Sequence, residues 1–122
     1  MIGLKNYKVV YLATPFAKYH LGPIAAFREA CIISGKLVKA GVSVYSPIVS
    51  THSINIHGDF SEDFDWLSFD EAMMDVSSAL LVAKMFTWEV SAGIKHEIEF
   101  FTKANKPVYY LDVLTMEVSE CS

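Results

Sequence analysis

The sequence predicts a three-layer α/β domain, a flavodoxin/Rossmann-like parallel sheet of four or five strands with helices on both faces. Three observations predict it. Strand-like and helix-like segments alternate along the chain, the order expected of repeated βαβ units. Residues 79–83 form an unbroken apolar run, as in a strand covered on both faces. The 122 residues, 52% of them hydrophobic, supply one core and leave no room for a second. Residues 1–122 are therefore read as a single domain.

Residues 8–13 are β-branched and apolar and stop at Thr14 and Pro15, which predicts a first strand and then a loop. Over residues 23–40, Phe27, Ala30, Cys31, Ser34, Leu37 and Val38 recur at helical spacing. Pro23 suits the first turn of that helix and Gly41 its stop. A short second strand is expected over 42–45, closed by Ser46 and Pro47. Residues 47–65, with His52, His57, Gly58 and the acids Glu62, Asp63 and Asp65, show no regular pattern. A long loop is expected there, of a kind that is usually functional or mobile. A helix over 66–76 leads into the apolar strand. Residues 91–104 read as a further amphipathic helix, with Ile94, Ile98, Phe101 and Ala104 on the stripe toward the sheet and Asn105 and Pro107 ending it. Residues 107–111 make the last strand, and the tail beyond them is ambiguous.

Composition narrows the function classes. Formal charge is −4 and the ten basic residues are scattered singly, so neither nucleic acid nor an anionic membrane surface is an expected partner. No stretch reaches the roughly 20 apolar residues of a membrane span, and the N-terminus lacks a signal-peptide pattern. Cys31 and Cys121 are too few for a disulfide framework and read as reduced thiols in a cytoplasm.

In parallel sheets ligands sit beyond the carboxyl ends of the strands. That rule nominates residues 14–18, 46–70 and 84–97. In the third region Ser91, Ala92 and Gly93 open a helix, whose first turn offers free N–H groups and the positive end of the dipole to an anion. Gly93 leaves the backbone bare, and Glu97 lies four residues on, hence on the same face. A carboxylate so placed can serve as nucleophile or base. On spacing alone the plainer alternative stands, in which Ser91 caps the helix and Glu97 is a solvated side chain. Asp70 is the second carboxylate of interest; alternatively it and Glu71 complement the helix dipole from the first turn. His52 follows the second strand and can reach a ligand. The set His52, His57 and Asp59 lacks metal-ligand spacing, and neither a metal nor a cofactor is expected. Tyr11, Phe16, Trp66 and Trp88 offer ring faces to a planar ligand, although aromatics in a small domain more often fill the core.

From about Val9 to Leu111 the chain resembles the nucleoside 2-deoxyribosyltransferase-like family, which holds nucleoside transferases and nucleotide N-glycosidases. The residues that carry the resemblance are the run Tyr11, Leu12, Ala13, Thr14, Pro15, Phe16, the block from Asp70 through Leu81, and Ser91, Ala92, Gly93 with Glu97. The resemblance implies that Glu97 is the nucleophile attacking the anomeric carbon and that Asp70 protonates the leaving base and holds the sugar. Tyr11, Thr14, Pro15, Phe16 and Lys18 are expected to contact the substrate with Ser91 and Gly93, and His52 from its place after the second strand. Members acting on free nucleosides have an acid six residues before the glutamate, whereas members acting on 5′-monophosphates have a serine, as here at Ser91. The chain departs from the nucleotide hydrolases in the first loop, where their arginine is absent from Thr14, Pro15, Phe16 and Ala17. Lys18 would substitute as a point charge.

The expected function is cleavage of the N-glycosidic bond of a (deoxy)nucleoside 5′-monophosphate, with a small-molecule nucleotide as the partner. Deoxyribosyl transfer between bases and a non-catalytic nucleotide-binding module are the alternatives. A response or adaptor domain is disfavoured, because no cluster of acids follows the first strand. The resemblance implies a homodimer or larger homo-oligomer, and Phe100 beside Phe101 points to an apolar patch against a copy.

Overall fold

A computed structural model describes residues 3–17 and 19–121. Its elements are β1 (Val10–Ala13), α1 (Pro23–Lys39), β2 (Val44–Tyr45), α2 (Pro47–His57), α3 (Trp66–Val76), β3 (Ala79–Ala83), α4 (Ala92–Lys103), β4 (Val108–Leu111) and β5 (Val118–Ser119). The strands lie in the order β2-β1-β3-β4-β5. The first four are mutually parallel, and β5 adds an antiparallel edge to β4 from the tail that carried no sequence signal. This is the predicted three-layer α/β fold.

Strand alternation divides the core in two. Val10 and Leu12 of β1, with Leu81 and Ala83 of β3, face Ala26, Ile33 and Leu37 of α1. Tyr11 and Ala13, with Leu80 and Val82, face Met74 of α3 and Ile94 and Phe101 of α4. All five residues of β3 are buried, as the apolar run required.

The structure corrects the sequence expectation in three places. Residues 47–57 are helix α2, not the start of a long loop. The Ser46 side chain accepts a hydrogen bond from Val49 N at 3.2 Å, and Pro47 occupies the first turn. The helix escapes periodicity because Ile54 and Ile56 point to solvent and its inner face is mixed. Packing against α1 holds it instead. In α1 the residues buried on the sheet are Ala26, Ala30, Ile33 and Leu37. Of the stripe read from sequence, Ala30 and Leu37 lie on that face, whereas Phe27 packs on α2 (ring 4.6 Å from that of His52) and Val38 is exposed. In α4, Ala104 falls at the exposed C-cap, and Phe100 is half-buried against the chain's own core. Among the described residues no helix is long and apolar enough to cross a membrane.

Candidate active site

Between β1 and β3 the sheet order reverses: the chain leaves β1 for β2 on one side and returns to β3 on the other. Such a switch point opens a crevice above the strand ends. A cavity of about 370 Å³ lies there. The loop after β1 (Thr14, Pro15, Phe16), the start of α2 (Pro47, Ile48, Thr51), Asp70 of α3, and Thr87, Val90, Ser91, Ala92, Gly93 and Glu97 enclose it.

Two carboxyls face this cavity from neighbouring helices. Helix α3 starts at Trp66 and is capped by Asp65, whose Oδ1 accepts from Ser68 N at 3.0 Å. Asp70 therefore lies in the second turn, and the first-turn dipole role does not apply to it. Its Oδ1 is buried and has no hydrogen-bond partner, and burial raises its carboxyl to about 6. Glu97 is half-buried rather than solvated. Burial pushes its carboxyl up to about 8; the Tyr11 hydroxyl works against that rise and the charge of Asp70 adds to it. Between those two values the pair holds one proton between its members.

Beneath them lie two tyrosines. Tyr11 is fully buried and does not reach the cavity wall; it supports Glu97 from below. Its phenol is raised by burial and then by Glu97 and Asp70. Tyr45 of β2 is the register partner of Tyr11, with ring centroids 5.7 Å apart. Neither hydroxyl makes a hydrogen bond of ordinary geometry.

Ser91 does cap α4, since Oγ accepts from Ile94 N at 3.3 Å. That bond leaves its own O–H free to donate. A Cβ at Gly93 would meet only Ser91 Oγ, at 3.8 Å, so packing does not demand glycine there; its absence of side chain keeps the cavity clear. Thr87, on the rim, has φ of 72°, a left-handed conformation that is costly for a β-branched residue.

Of the site residues predicted from sequence, the structure brings Thr14, Pro15, Phe16, Asp70, Ser91, Gly93 and Glu97 together on one cavity. Tyr11 lies under it. His52 stands behind the wall, its ring 5.9 Å from Phe16 and 4.6 Å from Phe27, and supports Phe16 instead of facing a ligand. Lys18 lies outside the described residues. Trp66 is packed among Phe60, Phe64 and Phe69, and Trp88 against Tyr110; neither lines the cavity. His96 is half-exposed, and its Nε2 meets Glu71 Oε2 at 2.9 Å, joining α4 to α3. Pro47, Ile48 and Thr51 fall within the nominated residues 46–70, but the helix that presents them was not expected there, although Ser46 and Pro47 carry its N-cap and first-turn signal. None of the described lining residues is Lys or Arg. Among the described residues no three His, Cys, Asp or Glu side chains are grouped to hold a metal ion.

Fold and site define a doubly wound α/β protein with a two-carboxylate pocket at its switch point. The chain belongs to a family described as a domain of unknown function (DUF1937), which it matches over residues 8–113. No curated protein matches it.

Proposed function

We propose that this protein cleaves the N-glycosidic bond of a (deoxy)nucleoside 5′-monophosphate and releases the base. The observation that carries the proposal is the carboxyl pair, two groups with raised and unequal pKa facing one largely apolar cavity from adjacent helices. Breaking the bond builds positive charge on the sugar, which a carboxylate beneath the anomeric carbon stabilises and then traps. Glu97 supplies that oxygen. As the Glu97–C1′ bond forms, the C1′–N bond breaks and its electron pair leaves with the base, which takes a proton from Asp70. Water then attacks C1′, gives its proton to Asp70 and frees Glu97. The reacting form thus has the proton on Asp70 and the charge on Glu97, and positive charge growing at C1′ favours it. Pro15, Phe16, Pro47 and Ile48 give a planar base apolar contact. The 5′-phosphate rests on the Ser91 hydroxyl and the first turn of α4. We assign the activity to the cytoplasm and to a homodimer or larger homo-oligomer.

The lack of Lys or Arg among the described lining residues favours a second reading, deoxyribosyl transfer on an uncharged nucleoside. Incubation with nucleoside 5′-monophosphates and the matching nucleosides, with free base as the readout, separates the two. We expect base from monophosphates alone, and Ser91→Asp to weaken monophosphate binding by about 2–4 kcal/mol. Base exchange on nucleosides in the presence of an acceptor base would establish transfer instead. Binding without any base release would leave a nucleotide-binding module.

A further inference from the structure

Among the described residues five buried side-chain polar atoms lack a hydrogen-bond partner, and three of them, Tyr11 Oη, Tyr45 Oη and Asp70 Oδ1, belong to one cluster beneath the cavity. A buried donor or acceptor left unpaired costs about 1–3 kcal/mol, so donors and acceptors gathered in one place satisfy one another. The groups facing Asp70 from the elements packed around it are Tyr11 of β1, Tyr45 of β2 and Glu97 of α4. Glu97 bears an acid of its own, and Tyr11 is influenced by Glu97 more than by Asp70. The remaining donor is Tyr45. Burial raises its phenol, Ser50 of α2 works against that rise, and the charge of Asp70 adds to it. Among the described residues the Tyr45 hydroxyl has no hydrogen-bond partner, so its proton is free for another acceptor.

We propose that Tyr45 is a positioning residue for Asp70, donating its hydroxyl proton to the inner oxygen Oδ1 through one bridging water. The two tyrosines then act as a matched pair from adjacent, in-register strands, Tyr11 under Glu97 and Tyr45 under Asp70. The consequence for chemistry rests on the acid role assigned to Asp70 above. With Oδ1 occupied as an acceptor, the carboxyl proton is confined to Oδ2, the oxygen on the cavity side, where a leaving base can take it.

Tyr45→Phe keeps the ring stacked on Tyr11 and deletes only the hydroxyl. In protein carrying ¹³C-carboxyl aspartate and glutamate, we expect the Asp70 titration midpoint to rise by about one pH unit, because a hydrogen bond to the charged form is lost, with Glu97 little changed. An unmoved Asp70 midpoint in a folded Tyr45→Phe protein would overturn the proposal. If that variant does not fold, the reciprocal measurement decides. Asp70→Asn should lower the phenol titration of Tyr45, followed by ring ¹³C, and an unchanged phenol would overturn the proposal equally. Neither titration needs turnover, so the failure of this inference is distinguishable from failure of the glycosidase reading. Where base release is measurable, Tyr45→Phe should lower kcat about tenfold with KM nearly constant, and a loss confined to KM would count against positioning.

Discussion

The two faces of the sheet carry opposite chemistry on alternate residues of the same strands. Toward α1 the buried side chains are almost all hydrocarbon, with Val10, Leu12, Leu81 and Ala83 meeting Ala26, Ile33 and Leu37. Toward α3 and α4 the same strands present Tyr11, Ala13, Leu80 and Val82, and around these gather Tyr45, Asp70 and Glu97. Among the described residues only one buried unpartnered atom, Ser34 Oγ, belongs to α1, while Tyr11, Tyr45, Asp70 and Thr14 supply the other four on or beneath the cavity. One face is satisfied and the other is left wanting partners. A strand's period of two is enough to separate what holds the fold from what acts on a ligand.

Substitutions can break that separation or sharpen it. The largest effect is expected on the unsatisfied face: Glu97→Gln should lower base release a thousandfold or more, about 4 kcal/mol in barrier, with nucleotide affinity within a few-fold and no fall in melting temperature. Near-normal base release from that variant would end the nucleophile assignment. On the satisfied face the effect should be reversed in kind. Leu81→Ala should cost ~3 kcal/mol in urea unfolding while leaving kcat and KM of the folded protein unchanged at low temperature. Loss of turnover from this hydrocarbon site would show that the faces are coupled.

The pH dependence of stability should also come from one face. Asp70 and Glu97 hold their protons more tightly folded, at about 6 and about 8, than their ordinary values of 3.8 and 4.5. Stability is then full below about pH 4 and falls as pH rises through 6 and 8, because the unfolded chain binds fewer protons there. The decline should be largest where Glu97 titrates, and Glu97→Gln should flatten its upper part. Urea unfolding at pH 4.5, 7 and 9 measures it, and a stability that rises over this range would refute the burial of the pair. The smallest effect is at the rim. Thr87→Gly should relieve the left-handed strain and raise stability by ~1 kcal/mol, while slackening the cavity edge enough to weaken ligand binding.

The hydrocarbon face and the β3–α4 wall were legible in the sequence for a common reason. Residues 79–83 and the run from Ser91 to Glu97 are contiguous, and their spacing maps directly onto a strand and a helix face. The α2 wall was not legible, because Pro47–His57 has no single apolar stripe and is held by α1, a neighbour remote in sequence. Asp70 was found, but its depth depends on a helix start at Trp66 capped by Asp65. The pairing of Tyr45 with Tyr11 rests on strand register, which no local pattern specifies. The left-handed Thr87 breaks a local rule at the cavity edge, which is where sequence reasoning is expected to fail.

The contact between His96 and Glu71 has a geometric consequence. Glu71 follows Asp70 on α3, and His96 precedes Glu97 on α4. Adjacent residues on a helix point about 100° apart, so each helix turns one member of its pair to the cavity and the other to its neighbour. A contact of 2.9 Å between the outward members fixes how each helix is rotated about its own axis, not only how far apart the helices stand. Rolling either helix to carry its carboxyl off the cavity would pull this contact open in the same motion. Each acid is therefore indexed by the residue beside it, an alignment pin set one position away from the part it aligns.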